Sequence, residues 1–215
     1  ALGHNTLSTN THSENNVAVG YEALKTFNVG SGSGFNTAVG SVAGTALTTG
    51  IQNTLIGGLA GDALTDGAGN IALGYNALST DTGGNASIAI GKNALSTQNL
   101  GIDTFNTAVG FAAGAGVTTG VKNTFLGGLA GDATTDADEN VAIGYDSLGT
   151  NILGGASVAV GASALRTQNP ASAVTMYNTA VGHFAGYAVT TGINNTLIGG
   201  LAGDALTTGY NNVSL

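Results

Sequence analysis

The sequence predicts an all-β fold, a parallel β-solenoid of about twelve 17-residue coils, and three observations carry that expectation. A ten-residue pattern, complete at Asn36-Thr-Ala-Val-Gly-Ser-Val-Ala-Gly-Thr45, recurs along all 215 residues. The glycine that closes its apolar run returns at a nearly fixed interval. The composition, with 37 Gly, 7% charged residues, 42% hydrophobic residues and no Trp, suits a thin and regular core. Small apolar side chains at fixed spacing fill a narrow solenoid; they do not fill a thick globule.

The closing glycines are Gly3, Gly20, Gly40, Gly57, Gly74, Gly91, Gly110, Gly127, Gly144, Gly161, Gly182 and Gly199. Their spacing is 17 residues except for 20, 19 and 21 before Gly40, Gly110 and Gly182. Every fourth coil is therefore lengthened, and four coils make a superrepeat. The identity of Gly57-Gly-Leu-Ala-Gly-Asp-Ala63 with residues 127–133 and 199–205 points to duplication of a four-coil block. The chain reads as a single β-solenoid repeat domain, 1–215, cut in mid-repeat at both ends, since Ala1-Leu2-Gly3 matches Ala72-Leu73-Gly74.

Within a coil, short β-branched runs such as Thr37-Ala-Val-Gly40, bounded by Asn and Gly, predict strands of about four or five residues. An Ala three residues past each glycine, as at Ala23, Ala43, Ala60 and Ala77, marks a second short segment. Stretches such as Thr48-Thr-Gly50 carry turn chemistry. A helical repeat would need a 3.6-residue apolar stripe, a longer unit and few glycines, so it is excluded. A strict hexapeptide period, as in β-helix acyltransferases, is also missing: Val39, Ala43, Leu47 and Ile51 are spaced by four.

One asparagine precedes each strand, at Asn16, Asn36, Asn53, Asn70, Asn106, Asn123, Asn140, Asn178 and Asn195, with Ser87 and Ser157 in the remaining two coils. Stacked coils place these amides one above another. The expectation is an internal structural ladder that satisfies turn backbone, in preference to a ligand-binding array.

The lengthened coils end in an aromatic residue each time, namely Phe35, Phe105 and Tyr177. Two readings compete. The rings are candidate contacts for a surface glycan, or they plug the widened coil; the plug is the preferred reading.

Four Lys plus Arg against twelve Asp plus Glu leave a net charge of −8, which argues against nucleic acid and anionic membranes as partners. There is no Cys, no apolar run long enough for membrane insertion and no basic leader. No motif for catalysis, a cofactor or a metal stands out, and the chain is expected not to be an enzyme. His4, His12 and His183 share no repeat phase. Asp62, Asp132 and Asp204 are equivalent positions four coils apart, too far apart for paired acid–base work. Calcium near Asp136-Ala-Asp138-Glu139 is weighed against a solvated acidic turn, which is preferred because the Gly-rich calcium nonapeptide is absent.

The Asn-x-Ala-Val/Ile-Gly-x-x-Ala unit resembles the head repeats of trimeric autotransporter adhesins (YadA-like) and the repeat regions of phage tail fibres. The resemblance runs through essentially the full chain by one degenerate motif. It implies a left-handed parallel β-roll, a homotrimeric fibre, and an extracellular place on a virion or bacterial surface. It also implies attachment to a host glycan or protein receptor through a rigid trimeric rod. Carried over by position, Val19, Val39, Ile56, Leu73, Ile90, Val109, Leu126, Ile143, Val160, Val181 and Ile198 would pack inside the roll or between chains. Ala18, Ala38, Ala72, Ala89, Ala108, Ala142, Ala159 and Ala180 would take the other face. The 17-residue coil and the four-coil superrepeat are departures from that pattern. The alternative outside the fibre class is an ice-binding or other scaffold solenoid, suggested by Thr48-Thr49, Thr118-Thr119 and Thr190-Thr191.

Overall fold

The structure, a computed structural model, describes residues 1–215. It is all-β, without a helix, and about twelve coils of roughly 17 residues stack through parallel strands. The chain forms two compact units, Ala1–Asn106 and Thr107–Leu215.

In the first unit the principal strands are β2 (Val17–Val19), β4 (Thr37–Val39), β5 (Thr54–Ile56), β6 (Ile71–Leu73) and β7 (Ile88–Ile90), paired in that order and in parallel. A small side ladder joins β1 (Ser13–Glu14) to β3 (Gly32–Ser33). In the second unit the order is β8 (Thr107–Val109), β9 (Thr124–Leu126), β10 (Val141–Ile143), β12 (Val158–Val160), β14 (Thr179–Val181), β15 (Thr196–Ile198) and β16 (Val213–Ser214). Its side ladder joins β11 (Gly154–Gly155) to β13 (Val174–Thr175).

The complete principal strands are three residues long, shorter than the pattern suggested. Their side chains alternate, and the middle one is the inner one, fully or almost fully buried in every coil: Ala38, Leu55, Ala72, Phe125, Ala142 and Leu197 are examples. The Val, Ile and Leu residues beside the closing glycine point outward. The two faces left open by the sequence are thereby assigned.

The closing glycines form a contact line from coil to coil. At Gly127, φ is +139° and an added Cβ would lie 2.5 Å from the Gly144 carbonyl oxygen, so neither the backbone nor the space admits a side chain. The segment after the glycine is no second strand. It is a tight turn whose residues two and four positions on are left-handed, as in Glu22 (φ 54°) and Leu24 (φ 47°). These turns stack through their own backbone ladder, in which Leu24 N–H donates to Ala43 (3.0 Å), Gly61 N–H to Ala77 (2.9 Å) and Leu148 N–H to Ala164 (3.0 Å). The alanines of this segment, Ala23, Ala43, Ala60 and Ala77 among them, are fully buried.

Candidate functional site

The asparagines line the inside of the coils as a brace within each unit. In the second unit the Asn140 backbone N–H donates to the Asn123 amide oxygen at 2.9 Å, and the Ser157 N–H donates to the Asn140 oxygen at 3.0 Å. In the ordinary coils the amide nitrogen donates forward within its own coil, Asn140 to the Gly154 carbonyl and Asn195 to the Gly209 carbonyl, whereas the partly exposed Asn16 donates back to the Glu14 carbonyl. The same pattern links Asn36, Asn53 and Asn70 in the first unit. Asn36, Asn53, Asn70, Asn106, Asn123, Asn140, Asn178 and Asn195 are at most 1% exposed, so the ladder faces the core. One side chain thus satisfies a backbone donor in the next coil and a backbone acceptor in its own, groups that would be costly to bury unpaired.

Where Ser87 and Ser157 replace asparagine, a glutamine from later in the same coil enters the ladder. Gln168 donates to the Ser157 hydroxyl at 3.1 Å and accepts from Asn178 Nδ2 at 2.9 Å. Gln98 binds Ser87 and Asn106 in the same way, and its amide also donates to the buried Asp81 carboxylate at 2.6 Å. These glutamines sit where ordinary coils carry Leu47, Leu64 or Val117. The first lengthened coil uses Phe27 instead, buried beside the intact Asn16.

The strand register locates one of the extra residues of each lengthened coil. Gly155 pairs with Thr175 and Val158 with Thr179, so three residues oppose two. Met176 is the one that turns inward, fully buried beside Gln168. Gly34 and Thr104 take the same place in their coils, and an added Cβ on Gly34 would strike the Phe27 ring at 2.5 Å. The widened coils are therefore filled by Phe27, by Gln98 with Thr104, and by Gln168 with Met176. Phe35, Phe105 and Tyr177 are not plugs. They occupy the ordinary left-handed position before the ladder residue, with φ of 52°, 51° and 52°, and are 58%, 55% and 64% exposed.

The outer face of the principal strands is apolar and open. In the second unit Leu126, Val181 and Ile198 are 46%, 36% and 43% exposed, with Val109, Ile143 and Val160 partly exposed between them. In the first unit Val39, Ile71 and Leu73 are likewise at the surface. Exposed rings follow the closing glycine at Tyr21, Tyr75, Phe111 and Tyr145. The sequence reading did not single these out, although their shared phase, one residue after the glycine, was visible.

The threonine pairs are engaged with the fold. The Thr48 and Thr190 hydroxyls, one from each of two pairs, donate to the Thr65 and Thr207 carbonyls, and both hydroxyls of the Thr118-Thr119 pair donate to Asp136. The acidic turn is likewise tied to its neighbours, for Asp138 Oδ1 accepts from the Val121 N–H and Glu139 from Lys122. No three His, Asp or Glu side chains converge on a common point as metal ligands would. Asp62 and Asp132 each keep one carboxylate oxygen buried without a hydrogen bond, and burial pushes both carboxyls above the ordinary range. In a search of protein-family models, curated proteins and solved structures, nothing matches this chain.

Proposed function

We propose that the chain is a structural and adhesive segment of an extracellular or virion fibre, in which three copies associate through the outer face of the principal strands. The observation that carries this reading is the row of half-exposed Val, Leu and Ile residues beside the closing glycines, flanked by exposed Tyr and Phe. Contiguous apolar surface repeated from coil to coil is uncommon on a protein that stays alone. It fits burial against identical copies, because an equal coil period puts each outward side chain opposite a matching row. The interior offers no competing site, being closed by small side chains and by the asparagine ladder. Ice binding gains no support from the threonines whose hydroxyls are held by carbonyls and by Asp136.

The test uses the exposed outer residues, whose replacement leaves the core of each coil untouched. In a Leu126→Asp, Val181→Asp, Ile198→Asp variant the assembly is expected to dissociate while the β-type circular dichroism spectrum persists. An unchanged native mass for this variant overturns association through this face.

A further inference from the structure

The longest of the lengthened coils opens a concavity of about 380 Å³ in the second unit. That size lies within the roughly 300–1,000 Å³ of small-molecule sites. Its lining includes the acidic turn with Asp136, Asp138 and Glu139 and, two coils on, Val174, Thr175 and Tyr177. Each carboxylate is held through one oxygen by the preceding coil. Thr118 and Thr119 hold Asp136 at 2.8 and 2.7 Å, the Val121 N–H holds Asp138 at 2.8 Å, and Lys122 holds Glu139 at 3.3 Å. The second oxygen of each carboxylate makes no hydrogen bond within the chain. The threonine bonds also keep Asp136 below the ordinary carboxylate range, so it is ionised at neutral pH.

The site thus joins oriented carboxylate acceptors and an exposed aromatic ring in one small concave space. Such acceptors suit neighbouring hydroxyl donors. The ring suits a ligand with an apolar face, since Tyr offers an apolar body and a polar tip. A pyranose ring has both sides, hydroxyls at its edge and C–H groups on its face. The carboxylates disfavour an acidic sugar by like-charge repulsion, and Lys122 offsets part of the charge that would favour a free cation. The same phase 70 residues earlier reads Asp66-Gly-Ala-Gly69, with one carboxylate in place of three, before a lengthened coil two residues shorter. The combination belongs to the second unit.

We propose that this concavity binds a neutral saccharide of one or two rings, stacked on Tyr177 and hydrogen-bonded by its hydroxyls to Asp136, Asp138 and Glu139. The inference deepens the adhesive part of the reading above, but it does not require association of copies. The test is isothermal titration of the intact chain with neutral hexose oligosaccharides, their sialylated forms and spermidine, at the native mass the protein adopts. The expected result is saturable binding of a neutral saccharide, at least tenfold weaker in Tyr177→Ala and in Asp138→Asn/Glu139→Gln, and unchanged in Phe105→Ala. Both Tyr177 and Phe105 are exposed, so these variants keep the fold, which circular dichroism checks. Failure of every neutral saccharide to bind overturns the proposal, as does equal binding by Tyr177→Ala or binding of only the sialylated form or spermidine. A monomeric protein that binds the sugar refutes the trimer and leaves the saccharide site standing.

Discussion

Two kinds of coil fill the same cross-section from opposite sides. Coils closing at Gly57, Gly127 and Gly199 carry a large inward strand residue, Leu55, Phe125 or Leu197, and a glycine four positions past the closing one, Gly61, Gly131 or Gly203. Coils closing at Gly74, Gly91, Gly144 and Gly161 carry Ala72, Ala89, Ala142 or Ala159 on the strand and Leu78, Leu95, Leu148 or Leu165 in the turn. The exchange is enforced by contact. An added Cβ on Gly131 would stand 2.3 Å from the Phe125 ring, and one on Gly61 would stand 2.8 Å from Leu55. The coils closing at Gly40, Gly110 and Gly182 are small at both places, Ala38 with Gly44 for example, and large residues of the flanking coils fill the space: a Cβ on Gly44 would meet Leu55 at 2.7 Å and Leu24 at 3.0 Å. The four-coil superrepeat is thus a packing register, a sequence of large and small residues that must be copied as a block.

The largest effect is expected where both kinds of coil agree. Gly127→Ala places a Cβ against the next coil's carbonyl at a φ that alanine rarely adopts. It should cost about 4 kcal/mol or more, read from guanidinium unfolding. A smaller loss, about 3 to 5 kcal/mol and overlapping that range, is expected for Phe125→Ala, which leaves a cavity. That variant sharpens the comparison. Adding Gly131→Leu converts the coil to the other kind and should recover part of the loss, because Leu148 already sits at the equivalent left-handed turn position with φ 50°. Gly131→Leu alone should destabilise. If the pair is additive, the exchange described above is wrong.

Asn140→Ala tests the ladder common to all coils. It strands the Ser157 N–H, while the Gly154 carbonyl keeps its bond from Asn151 Nδ2, at an expected cost of about 1 to 2 kcal/mol. The smallest effect is at Asp132, whose carboxyl is raised chiefly by burial and further by the Asp146 charge. The folded protein then holds the proton more tightly than the unfolded chain. Stability from this group is highest below the ordinary value of 3.8 and falls as pH rises through the raised one. Asp132→Asn should therefore melt slightly higher than the parent at neutral pH and equally at pH well below 3.8, measured by thermal scans.

The coil period, the parallel stacking and the asparagine ladder were legible in the sequence because each rests on one residue type at one spacing. The path of the turn was not. Left-handed backbone at Leu24, Val42 and Leu59 runs against single-residue preference and is imposed by the stacked turn ladder. The alternation Ala38-Val39 fixed that the two side chains diverge, but only the folded coil shows which is inside: Ala38 is fully buried and Val39 is 36% exposed. The filling of the lengthened coils was misread for a related reason. An aromatic at the end of an insertion looks like a plug, yet the register slips by one residue and turns Gly34, Thr104 and Met176 inward. Gln98 and Gln168 stand 11 residues past Ser87 and Ser157, within the same lengthened coils, and no local pattern announces them.

The proposed association of copies is tested most directly by the native mass of the unmodified protein, from sedimentation equilibrium or light scattering. The account predicts three times the 20.8 kDa of one chain, held to high dilution and reduced to one chain when the outer strand residues become aspartate. A particle of 20.8 kDa at every concentration would contradict it, leaving the apolar outer face open to water and the solenoid as a self-contained scaffold.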